Sequence, residues 1–360
     1  MQKILRLRGL GFLGKIRAVM AIGFARRAPC FSARRSEVVR DVNMGVRLQR
    51  ATRLVLIAAG CAWSVLCSSV IAQEERTKPI VAWAPKPASL PPYLAPNRPL
   101  WRLADILGKH QGEKDWLETV VNTRDFIGQW ISLGPGEKTK TVFYADDKVF
   151  WVVQSGQMRV RIDGVPPFIA SKDFVVEVPY RVPYNIETVG SEPSLRFEIR
   201  PSGEAPIYPL SETPTPQSGV QYIRAQFAGR GTYDKVNHPY LDFWKDIVQD
   251  GGSVPGSFIV RDDHTALGII RGKAVALPPD GNWGHFHENF DEFWFIAEGS
   301  QDFLIEGEPL IHAGQGDIVF APSGRWHRAT FGGTGMSTRF PIFSRPGDLH
   351  FFQPDAKSGD

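Results

Sequence analysis

Two stretches decide the fold of this chain, GNWGHFHENFDE at residues 281–292 and GDIVFAPSGRWH at residues 316–327. In the first stretch, His285 and His287 are separated by one residue, and side chains at i and i+2 of a β-strand lie on the same face. A carboxylate in the same stretch and an imidazole in the second can join them if the chain turns back at the glycines. Three imidazoles and one carboxylate are typical ligands of a first-row transition metal. The sequence therefore predicts a metal site made of His285, His287, Glu292 and His327.

The chain also contains an internal repeat. Subtracting 143 from a residue number in the second half gives its counterpart in the first, so Phe293-Trp294 corresponds to Phe150-Trp151. Turn glycines at 299 and 307 correspond in the same way to glycines at 156 and 164. The four candidate ligands do not recur, because their counterparts are Val142, Tyr144, Val149 and Tyr184. The repeat predicts one architecture used twice, with a single metal site in the second copy.

The chain from Gln73 onward has the sequence pattern of an all-β protein. Short β-like runs separated by Gly, Pro and Asp-Gly turns begin at Asp125 and resume at Ser257, a pattern typical of a sandwich or barrel. Pro-rich residues 74–100 predict an extended arm, and a short helical pattern follows within 101–118. A Pro/Ser/Thr-rich connection at 201–220 precedes a predicted helix at Tyr240–Gln249. We divide the chain into 1–72, an extension plus signal peptide; 73–124, the arm and helical segment; 125–200, a first β domain; 201–256, a linker; and 257–350, the metal-binding domain.

Charge is distributed unevenly along the chain. Residues 1–72 carry thirteen Lys/Arg against two acidic residues, a net +11, so a whole-chain charge of +4 leaves 4 − 11 = −7 for the rest. An acidic body is not expected to bind nucleic acid, since phosphates require a basic face. All three cysteines lie within 1–72, so the body from Gln73 onward has neither disulfides nor thiolate ligands.

Residues 44–73 predict a secretory signal peptide. A basic segment at 44–53 precedes an apolar run, and Val70-Ile71-Ala72 offers small residues for cleavage before Gln73. Met44 is then the predicted start, and 1–43 an over-extended reading frame. We expect a periplasmic or secreted protein that has no membrane association after signal removal. A retained membrane anchor across 54–72 is the alternative.

The metal motif, HxH-x4-E-x6-G followed by G-x5-P-x-G-x2-H, resembles the two-part motif of the cupins. With its repeat, the chain is similar to a bicupin over residues 125–346. It departs from the family pattern at Pro279 and Phe331, where cupins usually have Gly and Asn, but neither position is a ligand. The resemblance implies an all-β fold of two cupin-type jelly-roll β-barrels in tandem with a few short helices, the first barrel lacking metal. Cupins often dimerise, so it also suggests a homo-oligomer.

The chemistry expected of the site follows from its ligands and from the resemblance. Neutral imidazoles with one carboxylate suit one divalent transition metal, and the ligands alone do not choose among Mn, Fe, Ni, Cu and Zn. With the resemblance in view, Mn or Fe is favoured and Zn, Cu or Ni is left open. Four protein ligands on an octahedral ion leave two positions for a substrate. The resemblance implies a metal-dependent dioxygenase or decarboxylase that acts on a small oxygenated or carboxylated molecule. An isomerase or lyase is less favoured, and a non-catalytic metal- or ligand-binding periplasmic cupin is the alternative.

Further residues are candidates for the wall of the pocket, because large side chains fill small barrels and an inward arginine can bind a carboxylate. They are Arg271, Lys273, Trp283, Trp294, Phe303, Trp326 and Arg339. No general acid or base can be assigned, although Glu288 and Glu298 are available. The other histidines lack ligand spacing and are expected to be ordinary surface or core residues; they are His110, His238, His264, His312 and His350.

Overall fold

Over the residues that the structure describes, the chain folds into eighteen β-strands and two short helices. The structure is a computed structural model, and it describes residues 80–249, 257–261, 264–273, 282–344 and 350–353. The predicted extension and signal peptide, 1–72, lie outside these ranges. Within them, no helix has both the length and the apolar character needed to cross a membrane. The described residues from Ala82 onward belong to one compact unit.

The elements follow one another with short connections. The first ten strands are β1 (Leu100–Trp101), β2 (Trp116–Asn122), β3 (Phe126–Leu133), β4 (Val149–Ser155), β5 (Gln157–Ile162), β6 (Phe168–Ser171), β7 (Phe174–Val178), β8 (Tyr184–Val189), β9 (Ser194–Pro201) and β10 (Tyr240–Asp242). The other eight are β11 (Ser257–Arg261), β12 (Thr265–Gly272), β13 (Glu292–Glu298), β14 (Ser300–Ile305), β15 (Ile311–Gly314), β16 (Ile318–Ala321), β17 (His327–Phe331) and β18 (Ser337–Ser344). Helix α1 spans Leu103–Lys109, and a π-helix spans Phe243–Gln249.

Each half of the fold pairs a six-stranded antiparallel sheet with a three-stranded one. The first half has the orders β10-β7-β4-β9-β3-β2 and β6-β5-β8, and the second has β1-β16-β13-β18-β12-β11 and β15-β14-β17. Between the two sheets of the first half lies a core that includes Trp151, Met158 and Ile186. The equivalent core of the second half includes Trp294 and Phe303. The all-β, two-barrel architecture expected from the sequence is therefore confirmed.

The repeat is visible strand by strand. Strand β13 lies 143 positions after β4, and the same offset relates β14 to β5, β15 to β6 and β18 to β9, with identical lengths. The turn between the first two strands of each set contains a glycine with positive φ, 73° at Gly156 and 66° at Gly299. At either glycine a Cβ would collide with backbone of the neighbouring strand connection, so the tight turn requires glycine in both copies.

The two six-stranded sheets pack back to back. Because side chains alternate along a strand, Trp151 and Trp294 lie in the separate barrel cores, whereas Phe150 and Phe293 point to the other face. There they join one shared cluster, in which the Phe197 ring lies 6.4 Å from the Phe293 ring. Burying one such phenylalanine contributes about 1.5–3 kcal/mol. This shared core fixes the second barrel against the first.

Segments outside the predicted barrels complete the sheets. Strand β1, from the predicted arm, pairs with β16 of the second half, and β2 pairs with β3 of the first. Asn97 joins them, because its side chain donates to the carbonyl of Asn122 and accepts from the amide of Asn122. The helix predicted at 240–249 begins as β10, which pairs with β7, and becomes helical only at Phe243.

Candidate metal centre

The backbone brings the two halves of the motif together through a single pair of hydrogen bonds. The amide of His285 donates to the carbonyl of His327 (2.9 Å), and the amide of His327 donates back (2.8 Å). The equivalent bridge in the first half joins Val142 to Tyr184 in the same register. Glu292 is the first residue of β13, which enters the same core. Antiparallel pairing thus places residues 285, 287 and 327 on one face.

Glycine makes the close approach before His285 possible. Gly284 has a φ of 71°, and a Cβ at this position would collide with the indole of Trp326. The loop is fixed further by Asn282, whose side-chain amide donates to the carbonyl of Ala329 (2.8 Å). The motif glycine at 324 donates its amide to the carbonyl of His287 (2.6 Å). Gly284 and Gly324, the latter with a φ of 83°, both adopt a backbone conformation that favours glycine, which explains why glycine stands shortly before His285 and before His327.

Four potential ligand atoms converge on one point. The atoms that His285, His287, Glu292 and His327 offer all lie within 4.8 Å of one another. Glu292 Oε2 lies 2.8 Å from His287 Nε2, 3.1 Å from His327 Nε2 and 3.9 Å from His285 Nε2. Three of the four residues are buried, and His285 alone keeps an appreciable exposed side-chain fraction, 22%. The open side of the cluster is therefore the side of His285.

The separations among these atoms fit a metal ion. Two donors bound at right angles, each about 2.1 Å from the ion, lie about 3.0 Å apart. The 2.8 Å and 3.1 Å separations match that value. His327 Nδ1 donates to the carbonyl of Arg325 (3.1 Å), so in the neutral ring the lone pair is on Nε2, facing the carboxylate. A lone pair and a carboxylate oxygen at this distance repel each other, and a metal ion bound to both would remove that repulsion.

The electrostatics of the cluster favour the ligand forms of two members. Burial lowers the pKa of His285 to about 4, which keeps this imidazole neutral at pH 7. For Glu292, burial acts to raise the pKa, but the imidazoles that surround its carboxylate outweigh burial and hold the pKa well below its usual value. A neutral imidazole and an ionised carboxylate are the forms that bind metals. Nε2 of His285 and Nδ1 of His287 are buried without a hydrogen-bond partner.

A cavity of about 290 Å³ opens beside the cluster. Its wall contains His285, Glu292 and His327, together with apolar side chains and Arg339. Arg339 is 8% exposed, its Nη1 donates to Gln301 (2.9 Å), and its Nε has no partner. Burial lowers the pKa of Arg339 to about 10, so the guanidinium remains charged at pH 7. Among the described residues, no carboxylate forms an ion pair with it.

The structure places two of the seven pocket candidates on this cavity, Trp294 and Arg339. The Trp294 ring lies 5.1 Å from that of His327. The other five do not line it. Arg271 forms an ion pair with Glu298 (2.9 Å), Lys273 is exposed, and Trp283 is half-buried. Phe303 packs behind Trp294, and Trp326 packs against the loop glycine before His285. Of the two glutamates considered as acid or base, neither Glu288 nor Glu298 lines the cavity.

One residue that no sequence pattern singled out lies at the site. His350 lines the cavity, and its ring centroid is 4.6 Å from the rings of both His285 and His287. We expected His350 to be an ordinary surface or core residue, and this expectation is wrong, because its side chain lies on the cavity wall. No motif spacing could have revealed it, because its position depends on the return of the C-terminal segment, in which Phe351 pairs with Phe286.

In the first half, aromatic packing replaces the cluster. Tyr184, the counterpart of His327, stacks on Trp151 with centroids 5.7 Å apart, as His327 contacts Trp294 in the second half. Burial raises the pKa of Tyr184 well above its usual value, so the phenol stays neutral. Val142 and Val149 stand at two of the other ligand positions. These four positions contain no imidazole or carboxylate, so this barrel holds itself together by packing.

Comparisons with known proteins locate the chain among related folds. No family model matches it. A stretch of 54 residues is 43% identical to dimethylsulfoniopropionate lyase DddQ of Ruegeria pomeroyi, covering 15% of this chain and 27% of that relative's length. A single-residue mutant of salicylate 1,2-dioxygenase from Pseudoaminobacter salicylatoxidans is similar in structure, with a TM-score of 0.50 and 14% identity over 79% of this chain and 93% of that one. A cupin 2 conserved barrel domain protein from Leptotrichia buccalis gives a TM-score of 0.45 at 13% identity, over 68% of this chain and 96% of that one.

Proposed function

We propose that this chain, which has the duplicated cupin fold, is a metal-dependent enzyme whose C-terminal barrel acts on a small carboxylated molecule. The reaction that we favour is oxygenation or decarboxylation, with one Fe or Mn ion at His285, His287, Glu292 and His327. The observation that carries the proposal is the convergence of these four ligand atoms within 4.8 Å at the wall of an open cavity. A structural metal site would be closed by its ligands, whereas a reactive one keeps open positions.

The cavity supports a small, anionic substrate. Its volume of about 290 Å³ is just below the usual range for ligand pockets, about 300–1,000 Å³. Arg339 supplies a buried positive charge whose Nε is unpaired. A buried charge without an ionic partner is unfavourable, and a planar carboxylate matches the geometry of a guanidinium. A substrate carboxylate at Arg339 would supply the missing partner.

The other residues of the site have roles that follow from their contacts. When bound, a divalent ion supplies Lewis acidity and open positions that orient a chelating substrate. His327 is held in one tautomer by the carbonyl of Arg325, so its Nε2 stays directed at the centre. Glu292 provides the only negative charge among the four ligands. Trp294 and Phe343, both buried on the cavity wall, exclude water and strengthen the electrostatic interactions inside.

The test is turnover by protein of defined metal content. The purified chain is stripped with a chelator, reloaded with Fe(II) or Mn(II), and assayed with a panel of small hydroxy-, keto- and dicarboxylates for oxygen uptake and CO₂ release. We expect turnover only in the loaded protein. His285→Ala should lose metal and activity together, whereas His312→Ala, an exposed histidine paired with Asp302, should retain both. Turnover by metal-free His285→Ala would contradict the proposal.

A lyase is the second candidate, because the curated relative is named as a lyase of a propionate derivative. In that case the loaded protein would cleave a short carboxylate without consuming oxygen or releasing CO₂, which product analysis by mass spectrometry would detect. A non-catalytic binding protein is the remaining alternative. It predicts metal-dependent binding of a carboxylate, measured by calorimetry, with no product from any member of the panel.

We also propose that the protein is exported to the periplasm or secreted. The support is the signal-like pattern at 44–73, with its basic segment, apolar run and small residues before Gln73. Cell fractionation and N-terminal sequencing test this directly. Mature protein that begins at Gln73 in the exported fraction is the expected result, and an intact N-terminus in the cytoplasm would contradict it.

A further inference from the structure

The C-terminal segment, residues 350–353, lies against the metal motif and contributes His350 to the wall of the cavity. It is joined to the motif by two backbone hydrogen bonds, from the amide of Phe286 to the carbonyl of Phe351 (3.1 Å) and from the amide of Phe351 to the carbonyl of Phe286 (3.0 Å). The two phenylalanine rings stack with centroids 5.0 Å apart and an interplanar angle of 17°. The segment is therefore fixed in register against the residue between the first two ligands.

This register determines where the neighbouring side chains go. Residues on either side of Phe351 point to the face opposite its own, and the same alternation places His285 and His287 opposite Phe286. The ring of His350 lies 4.6 Å from the rings of His285 and His287, and the ring of Phe352 lies 5.5 Å from that of His285. His350 thus stands at the side of the cluster where His285 is partly exposed.

His350 adjoins the ligand set without belonging to it. The four ligand atoms that gather within 4.8 Å do not include a nitrogen of this histidine. Its side chain does line the cavity of about 290 Å³, together with Glu292, His327 and Arg339. A neutral imidazole has one donor and one acceptor nitrogen, so it can hydrogen-bond an oxygen held at the open side of the cluster.

We propose that His350 is a substrate-positioning residue, which hydrogen-bonds a carboxylate oxygen of the molecule that occupies the open side of the metal. His350 belongs to the C-terminal segment, and the pairing of Phe351 with Phe286 fixes its position. The inference rests on the metal site of the proposed function but not on which reaction takes place there. It assigns the specificity for oxygen-rich chelating ligands jointly to the barrel and to a segment beyond its last strand.

The test separates binding of the metal from binding of the substrate. The full chain is loaded with Co(II), whose visible absorption reports its ligands, and is titrated with glycolate, a small hydroxy acid. His350→Phe keeps the ring and removes both nitrogens. We expect it to bind Co(II) within about threefold of the original protein and to bind glycolate about ten- to a hundredfold more weakly, the range for a hydrogen bond to a charged group.

Three further variants control the result. His350→Gln, which keeps a donor and an acceptor, should recover part of the glycolate affinity. Phe351→Ala should weaken glycolate binding like His350→Phe, because it removes the stacked ring that fixes the segment. His312→Phe changes a histidine that is 69% exposed and paired with Asp302. It should change neither the affinity for Co(II) nor the affinity for glycolate.

Other outcomes would overturn the inference. If His350→Phe binds glycolate within threefold of the original protein, His350 lines the cavity without contacting the ligand. If His350→Phe no longer binds Co(II), His350 is a metal ligand. An original protein that takes up Co(II) but not glycolate also contradicts it and leaves the metal site standing. If the original protein takes up no Co(II), the metal site of the proposed function fails as well.

Discussion

Replacing Arg339 with methionine should stabilise the ligand-free protein while impairing ligand binding. Burial lowers the pKa of Arg339 from 12.5 to about 10, and at about 1.36 kcal/mol per pKa unit the folded state carries a cost of about 3 kcal/mol for this charge. Methionine removes that cost and fills similar space. It also removes the hydrogen bond to Gln301, which contributes about 1.5–3 kcal/mol because the donor is charged. The net expectation is a stabilisation of about 1 kcal/mol.

Urea unfolding at pH 7, followed by tryptophan fluorescence, measures this difference. A stabilisation of about 1 kcal/mol corresponds to a rise of about 2–4 °C in Tm for a unit of this size. Affinity for a small carboxylate should fall at least about tenfold in the same variant, because the charged partner is lost. Arg271→Met is the matched control, since Arg271 has an ionic partner in Glu298 and its loss should be destabilising. A destabilisation of more than about 2 kcal/mol in Arg339→Met would refute the reasoning, because it would mean that the arginine is retained for structure.

Three other predictions concern the cluster and the shared core. His287→Ala should weaken Mn(II) binding by more than about a hundredfold, measured by calorimetry, because losing a ligand costs more than losing an outer partner. The metal-free protein should lose about 3 kcal/mol of stability as the pH falls from 6.5 to 4: the pKa of His285 is about 4 when folded, so in this window only the unfolded chain takes up the proton. His285→Phe should flatten that dependence in urea titrations. Phe293→Ala should destabilise the protein by about 3–5 kcal/mol in the same assay, through a cavity between the two large sheets.

Each of these predictions has a contrary result. Unchanged Mn(II) affinity in His287→Ala would remove this residue from the ligand set. Equal acid sensitivity in His285→Phe would assign the pH dependence to other groups. A loss below about 1 kcal/mol in Phe293→Ala would mean that the sheets do not depend on this ring for their packing.

The architecture could be predicted because its determinants are local and are used twice. Glycine at 156 and 299 is required by the turn itself, and the Phe-Trp pair at 150 and 293 repeats the alternation that assigns one ring to each face. Such features can be recognised from the spacing of residues along the sequence. The back-to-back packing of the two large sheets was not foreseen, because alternation identifies two apolar faces without saying which sheet covers which.

At the site, sequence spacing predicted which four ligand candidates meet, and Arg339 was among the residues predicted for the cavity wall. The structure brings the four together through the bridge between His285 and His327. Arg271 and Arg339 looked equivalent in the sequence, but Arg271 forms an ion pair with Glu298 away from the cavity, whereas Arg339 lies on the cavity wall. Residue spacing could not predict that His350 lies at the site, because its position depends on a pairing between distant segments of the chain.

The aromatic filling of the first barrel has a consequence for biosynthesis. The first half leaves the ribosome before the second, and its core of Trp151, Tyr184 and their neighbours needs no ion to assemble. Its large sheet then presents the face of Phe150 and Phe197, which stays uncovered until the second half is complete. We expect this interval to be the period in which the nascent chain is most prone to aggregation. The order of synthesis thus makes the metal-independent half the folded surface against which the metal-binding half assembles.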